Sequence, residues 1–305
     1  MISCKICNLE FDGVKIFHQH LKSHKTAQTV YYQKYFPRYD RYDSGIIRYK
    51  NYDYYFNTEF NTRANFKNWL SSVSTLVKIN YVRDFIASRK IKKGLIYFPS
   101  QVELRTLMVP GIRYINENLG GYAKLCGELG LKPRFAQENL DESKFQDISR
   151  KTIFTDTREQ KPLEFDNKTK TKTMNFGDYQ LFKCNIFIER KSISDAFGTL
   201  SGGVQRFERE ILRAKEAEAY LVILVEGSLD ELEHFPEQRQ VYGKINIPFE
   251  FVFHNIRDLS QKYQHIQFLF VKNREEASRV IKKIFSANEQ VKSVDLQFLY
   301  DTQKL

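Results

Sequence analysis

The chain has 305 residues, 42% of them hydrophobic, enough for about two domains of ordinary size with real cores. Its 48 Lys and Arg against 37 Asp and Glu leave a formal charge of +11, which points to a polyanion such as nucleic acid rather than an acidic metabolite, with simple solubility charge as the alternative. No apolar run is long enough to span a bilayer, and Met1-Ile-Ser-Cys4 is not a charged leader before an apolar stretch, so the expectation is no membrane, no secretion and a cytosol-like compartment, or the nucleus in a eukaryote.

Four cysteines, Cys4 and Cys7 close together and two isolated, are no disulfide framework. Cys126 and Cys184 are expected as small buried hydrophobes. Cys4-x2-Cys7-x12-His20-x3-His24 is different: thiolates and imidazoles at this spacing let a hairpin and a helix grip one zinc ion tetrahedrally. Phe11 and Phe17 supply the mini-core of a ββα zinc finger over residues 1–26. A domain of about 25 residues buries too little surface alone and relies on roughly 10–16 kcal/mol from zinc. With His20 as the seventh helical residue, the base-reading positions fall on Gly13, Ile16 and Gln19, of which only Gln19 carries a good hydrogen-bonding group. Auxiliary DNA contact and a protein-contact or structural role both remain open for the finger.

Residues 27–64 are a Tyr-rich, basic connector, with nine of the 18 tyrosines between positions 30 and 56. Interleaved cations and rings suit phosphates and unpaired bases, and equally suit a small aromatic core. A helical segment follows at 65–95. Phe66, Trp69, Leu70, Val73, Leu76 and Val77 recur at helical spacing and predict one amphipathic helix. A second piece around Val82, Phe85 and Ile86 ends at the basic run before Gly94.

Residues 96–134 read as three short helices. Ser100 and Glu103 form a capping box, Pro110 opens the second helix, and Gly120-Gly121 ends it. Leu104, Leu107, Ile112, Ile115, Leu119, Leu125 and Leu129 are candidates for one shared core. From Tyr97-Phe-Pro-Ser-Gln through Gly121-Tyr-Ala-Lys-Leu to Gly130-Leu-Lys-Pro, the segment resembles the helix-turn-helix-like repeat found beside the nuclease domains of phage and intron-borne homing endonucleases. That resemblance implies that Arg113, Tyr114, Asn116 and Asn118 face a major groove. A three-helix scaffold without DNA contact is the alternative. Residues 135–150 are polar and read as a linker.

From residue 151 short apolar runs alternate with helical periodicity. Ile153-Phe154, Tyr179–Phe182, Ile186–Ile188, Leu221–Val225 and Ile266–Val271 predict strands, with helices near 203–218, 248–263 and 273–286. An α/β domain with a mixed sheet follows over 151–290, with 291–305 as a tail. Asp156 ends the first strand, Asp178 begins the second, and Glu189 and Lys191 share a face of the third. The spacing D-x(n)-E-x-K supplies what phosphodiester hydrolysis needs: carboxylates for one or two divalent cations, and a cation to orient water and offset developing charge. Mg2+, or Mn2+, suits an oxygen-only site. A structural Glu189–Lys191 or Arg158–Glu159 ion pair is the plain alternative.

Asp156-x-Arg158-Glu159, Gly177-Asp178-Tyr179, Glu189-Arg190-Lys191-Ser-Ile-Ser-Asp195 and Arg206-Phe207 resemble the nuclease domain of the XPF/Hef family of structure-specific endonucleases, in the PD-(D/E)xK group. The resemblance implies that Asp178 and Glu189 ligate metal with Asp156 assisting, and that Lys191 serves the attacking water. It also implies that Arg158, Glu159, Arg190, Asp195 and Arg206 support the site or grip substrate, and that the domain can form a homodimer. The chain shows no tandem helix-hairpin-helix module after residue 290 and no helicase phosphate loop, so targeting is expected from the N-terminal half.

The whole chain is therefore expected to be multidomain: a ββα zinc finger, an α-helical DNA-binding middle and a C-terminal restriction-endonuclease-like α/β domain. The leading expectation is a metal-dependent DNA endonuclease of homing or phage type. Its rivals are a nuclease that recognises flaps, forks or junctions, and a DNA-binding protein whose nuclease domain is retired.

Overall fold

The structure is a computed structural model and describes residues 1–239 and 249–305. The chain divides into two compact units, Met1–Arg89 with Leu107–Val109, and Lys90–Thr106 with Pro110–Leu305.

In the first unit, β1 (Ile2–Ser3) and β2 (Glu10–Phe11) form an antiparallel ribbon, followed by α1 (Val14–Leu21) and a 3-10 turn at Lys22–His24. Then come α2 (Gln28–Tyr35), α3 (Tyr52–Asn57), α4 (Arg63–Ser72) and α5 (Thr75–Lys93), whose last four residues belong to the second unit. The finger core does not end at residue 26: Cys4, Phe17 and Leu21 pack in one cluster with Tyr31, Tyr32, Ile47 and Tyr55. Tyr32 stacks on Tyr49 with ring centroids 4.8 Å apart, and the Lys5 amide donates to the Tyr31 hydroxyl at 2.7 Å. The segments read separately as 1–26 and 27–64 thus share one core, because the exposed side of so small a ββα unit gains burial from neighbouring rings. Tyr39 and Tyr42 stay exposed at the turn closed by the Tyr39–Ile46 bridge.

The single helix expected across Phe66–Val77 is two helices. Val73 is extended and the Ser74 carbonyl accepts from the Lys78 amide, so the chain restarts there. Ser72-Val-Ser74 puts local hydroxyl acceptors and a β-branched residue where a helix is easily interrupted. Trp69 is buried, but Leu76 and Val77 are exposed instead of facing inward. Gly94 stops α5 with φ +62°, as its position suggested.

The second unit opens with α6 (Gln101–Thr106), α7 (Ile112–Asn118) and α8 (Tyr122–Glu128). The capping box is present, with the Ser100 amide donating to Glu103 Oε2 at 2.9 Å. Leu104, Ile112, Ile115, Leu119 and Leu125 are buried and Leu129 is half-buried, whereas Leu107 falls in the first unit. These helices are not free-standing. The Gln101 amide donates to Asp295 Oδ2 at 2.7 Å, and Gln261 Nε2 donates to Glu103 Oε1 at 2.9 Å.

Nor are residues 135–150 a free linker. Phe135 and Ile148 are buried, and the Gln137 and Gln146 amides donate to the Ser293 and Ser286 carbonyls at 2.8 and 2.9 Å. Just before this strap, the buried Arg134 guanidinium donates to the carbonyls of Ser260 and Ile266.

Six strands form the sheet: β3 (Ile153–Asp156), β4 (Thr169–Lys172), β5 (Tyr179–Leu181), β6 (Ile186–Ser192), β7 (Tyr220–Glu226) and β8 (Ile266–Val271), in the order β4-β3-β5-β6-β7-β8. β5 is antiparallel to both β3 and β6 while the remaining pairs are parallel, so the sheet is mixed. The edge strand β4 has no apolar residue and was not foreseen.

On the Glu189 face, Ile223, Val225, Phe268 and Phe270 meet a helical layer of α9 (Ile193–Leu200), α10 (Val204–Glu216), α11 (Leu229–Arg239) and α12 (Phe249–Lys262). Pro248, the first residue of the helix expected at 248–263, lies outside the described residues. The other face packs against α13 (Arg274–Ala287) and α14 (Leu296–Asp301). The segment read as a tail is core: Val291, Leu296 and Leu299 are fully buried, and the Gln297 side chain accepts from the Phe270 amide at 2.7 Å.

Candidate nuclease centre and zinc site

The acidic residues of the motif stand in one cross-strand row. Antiparallel register pairs Phe154 with Gln180 and Gln180 with Phe187, so the next even step along the same face aligns Asp156, Asp178 and Glu189. The ladder continues there, since the Asp156 amide donates to the Asp178 carbonyl at 2.8 Å and the Asp178 amide to the Ile188 carbonyl at 2.7 Å. Lys191, two residues beyond Glu189, points the same way and donates to Glu189 Oε1 at 2.7 Å. Its ammonium also lies 4.9 Å from the Phe207 ring centre. Gly177 makes the approach possible. It has φ +70°, and an added Cβ would come within 3.2 Å of Phe187 Cβ and 3.3 Å of the Ile188 carbonyl.

Electrostatics separate these groups by role. Burial, then the charge of Asp178, pushes the Glu189 carboxyl well above its ordinary value, with Lys191 opposing. Burial raises Asp178 to about 6, against the Arg190 amide that donates to its Oδ2 at 2.8 Å. Lys191 is held above its usual value: burial works against the ammonium, but Glu189 outweighs it by charge and hydrogen bond. It is therefore a standing cation. Asp156 is 1% exposed, and burial would raise it, yet bonds from the Arg158 guanidinium (2.7 Å), the Arg158 amide (2.9 Å) and the Met174 amide (2.6 Å) hold it low.

The supporting residues divide by face. Arg190 points away from Glu189 and Lys191 and is fixed between Glu159 at 3.0 Å and Glu226 at 2.8 Å, so its guanidinium braces the strand end. Ser192 caps α9: its Oγ accepts from the Asp195 amide at 3.1 Å and donates to Asp195 Oδ2 at 2.7 Å. Asp195 thus holds the helix that follows the motif strand. Arg206 is exposed in the first turn of α10, and Phe207, Ile211 and Ala214 face inward.

Two residues were missed. Glu226 is the second anchor of Arg190. Glu210 accepts from the Gly177 amide at 3.2 Å, and its charge raises Asp178, Glu189 and Lys191 alike. The available signal was its place on α10, three residues after Phe207 and one before Ile211, which sets it beside the inward stripe.

Among the described residues, the set of three or more metal-type ligands that converges is Cys4, Cys7, His20 and His24, whose donor atoms all lie within 4.8 Å of one another. Cys7 Sγ is 3.2 Å from His20 Nε2, and the two imidazole nitrogens are 3.0 Å apart. Ligands at about 2.0–2.3 Å around tetrahedral zinc stand roughly 3.3–3.8 Å from each other, so this donor set fits. Although burial opposes it, the backbone amides of Ile6 and Cys7 hold the Cys4 thiol below its usual value. α1 starts at Val14, so His20 is indeed its seventh residue; Ile16 and Gln19 are exposed. Cys126 and Cys184 are buried and free.

The carboxylates of the acid row do not form such a tight set, being drawn to separate partners: Asp156 to Arg158 and Met174, Glu189 to Lys191. Their chemistry nonetheless fits a hard divalent cation, because the buried Glu189 and the half-buried Asp178, both of raised pKa, stand near a single ammonium that bonds only Glu189. The expected groove-reading residues are largely occupied locally. Arg113 pairs with Glu117 at 2.8 Å, Asn116 accepts from the Tyr122 amide at 2.8 Å, and Asn118 donates to the Tyr114 carbonyl at 3.0 Å.

Residues 142–284 match the ERCC4 domain. The C-terminal part of the chain thus carries a match to the ERCC4 domain, and the N-terminal part carries a Cys/His cluster whose donors could hold a metal ion. Among solved structures, XPF from Aeropyrum pernix is similar at 20% identity over 44% of this chain and 59% of that one, with a TM-score of 0.34. The same protein in complex with DNA is similar at 19% identity over 45% and 64%, with a TM-score of 0.33. The chain thus spans about three fifths of the length of either. No curated protein matches the chain. Among the described residues, no helix is long and apolar enough to cross a membrane.

Proposed function

We propose that the chain is a divalent-metal-dependent DNA endonuclease that hydrolyses phosphodiester bonds at Asp178, Glu189 and Lys191. The observation that carries this reading is the cross-strand row of Asp156, Asp178 and Glu189 with the Lys191 ammonium bonded to its end. Asp178 and Glu189 would hold Mg2+ or Mn2+, with Asp156 assisting. Such a cation, when bound, polarises a phosphoryl oxygen and lowers the pKa of water. Lys191, protonated throughout, orients the attacking water and offsets charge on the phosphate rather than serving as a free base. Glu189 in turn fixes the lysine's direction. Arg158 keeps Asp156 ionised and Arg190 braces the strand end from the far face. Zn2+ belongs to the finger, where it folds the unit.

Target choice rests on the N-terminal modules, with Gln19 and Arg113 as exposed polar groups for a groove. A site-directed enzyme of homing or phage type cuts a plasmid library in Mg2+ at discrete sequences. The structure-specific reading gains from the local bonds of Asn116 and Asn118, which leave α7 with less to offer bases. Mapping cut ends on linear duplex, flap and fork side by side separates the two, and cleavage confined to branched substrates removes the homing version. Binding without any nicking in Mg2+ or Mn2+ would point to a retired nuclease. A homodimer through this domain is part of the same reading and is measured by sedimentation.

A further inference from the structure

The helical layer covers only part of the site-bearing sheet face. Along β5, β3 and β4 the same face carries Gln180, half-buried Phe154 and Phe182, the last 48% exposed. Parallel register sets Phe154 beside Lys170 and Asp156 beside Lys172. Residues 168–173 read Lys-Thr-Lys-Thr-Lys-Thr, so the strand pleat puts Lys168, Lys170 and Lys172 on this face and the threonines on the other. All three lysines are exposed, and residues 168–173 hold no acidic residue to neutralise them. The side chains confirm the shared face: Lys172 Nζ lies 5.3 Å from the Phe154 ring centre, and the Phe154 and Phe182 rings are 6.2 Å apart. Lys183 Nζ is 5.5 Å from the Phe182 ring centre.

We infer that this open half-face, Lys168, Lys170, Lys172, Lys183 and Phe182, is a track for one DNA strand that leads its backbone to the row Asp156–Asp178–Glu189. The inference rests on the nuclease reading above and names how that site holds its substrate. Alternate lysines on a strand are about 6.6 Å apart, which places separate ammonium groups along a phosphate backbone. The exposed Phe182 ring offers an unpaired base a face to stack on. Lysines on an edge strand also deter pairing with another sheet. Any charge would do that, however, and it requires neither rings beside the lysines nor alignment with the catalytic row.

The test uses the full chain without divalent metal and a fluorescent DNA with a single-stranded overhang, titrated with salt. Changing Lys168, Lys170 and Lys172 together to Gln is expected to lower the slope of log K against log salt by about 2–3, because each phosphate contact contributes roughly 0.7–0.9. Affinity for the overhang DNA should fall tenfold or more. Phe182→Ala should weaken overhang binding without moving the slope. A charge-matched control, Lys144, Lys292 and Lys304 to Gln, should leave the slope unchanged, and circular dichroism verifies folding of both triples.

An unchanged slope in the β4 triple, or an equal drop in the control, overturns the track even if the wild type cleaves. If the slope drops as expected but no Mg2+-dependent nicking occurs, the track stands and the nuclease reading falls. If the wild type does not bind DNA at all, the track is overturned.

Discussion

The two candidate metal centres of this chain are prepared in opposite ways. In the finger, two cysteines and two histidines already converge and share their packing with the aromatic core of the unit. In the ERCC4-matching domain the carboxylates are aligned by the sheet but held by separate cations and amides, with burial working against the charge on Asp178 and Glu189. A metal that folds a domain needs ligands that collapse onto it; a metal that takes part in a reaction needs a site that stays open and reactive. The comparison teaches that the first centre is bought with sequence spacing and the second with strand register.

The sharpest way to break the comparison is at the acid row. Asp178→Asn or Glu189→Gln should reduce cleavage by about a thousandfold or more, roughly 4 kcal/mol of transition-state stabilisation, in single-turnover assays. Asp178→Asn should at the same time raise stability at neutral pH. The Asp178 carboxyl rises from an ordinary 3.8 to about 6 on folding, so its cost is absent below pH 4 and fully present above pH 6. A gain on the order of 2 kcal/mol is expected at pH 7.5 and none at pH 4 in denaturant titrations. A finger substitution should do the reverse. Cys4→Ser, or zinc chelation, should remove several kcal/mol from the first unit, on the order of the zinc contribution, and abolish amide protection around Tyr31 and Tyr55. Unchanged protection there would refute the shared core.

Smaller effects sharpen the same contrast. Gly177→Ala forces a side chain into a positive-φ position against the Ile188 carbonyl and should cost about 1–3 kcal/mol while slowing cleavage. The cleavage rate should climb with pH through about 6 as Asp178 ionises, and further as Glu189 follows. Glu210→Gln removes a charge that raises both carboxyls, so the acid limb of that profile should move to lower pH by a fraction of a unit. A shift to higher pH would mean that Glu210 acts in some other way.

Legibility followed the range of the interaction. The convergence of Cys4, Cys7, His20 and His24, the capping box at Ser100 and Glu103, and the strand placement of Glu189 and Lys191 are local patterns, and each appears in the fold. The break at Val73-Ser74 was hidden by an apolar periodicity that continued across it. Residues 135–150 looked like a linker because composition counts Gln, Glu and Asp, whereas docking depends on Phe135, Ile148 and a few backbone amides. β4 carries no apolar residue, so nothing in its hydrophobicity announces a strand. Gln297 is 1% exposed, and only the partner it bonds, the Phe270 amide, explains a buried polar group near the C-terminus.

By itself, the sequence determined the chemistry: which residues can take zinc, which can take a hard cation, and that an ammonium accompanies the acids. Tertiary structure alone decided that Asp156, Asp178 and Glu189 share one row, that Arg190 turns its charge to the far face, and that Glu210 joins the site. Ligand type is a property of the side chain, but proximity between residues tens of positions apart depends on how strands pair, and a one-residue slip in register would send every side chain to the opposite face.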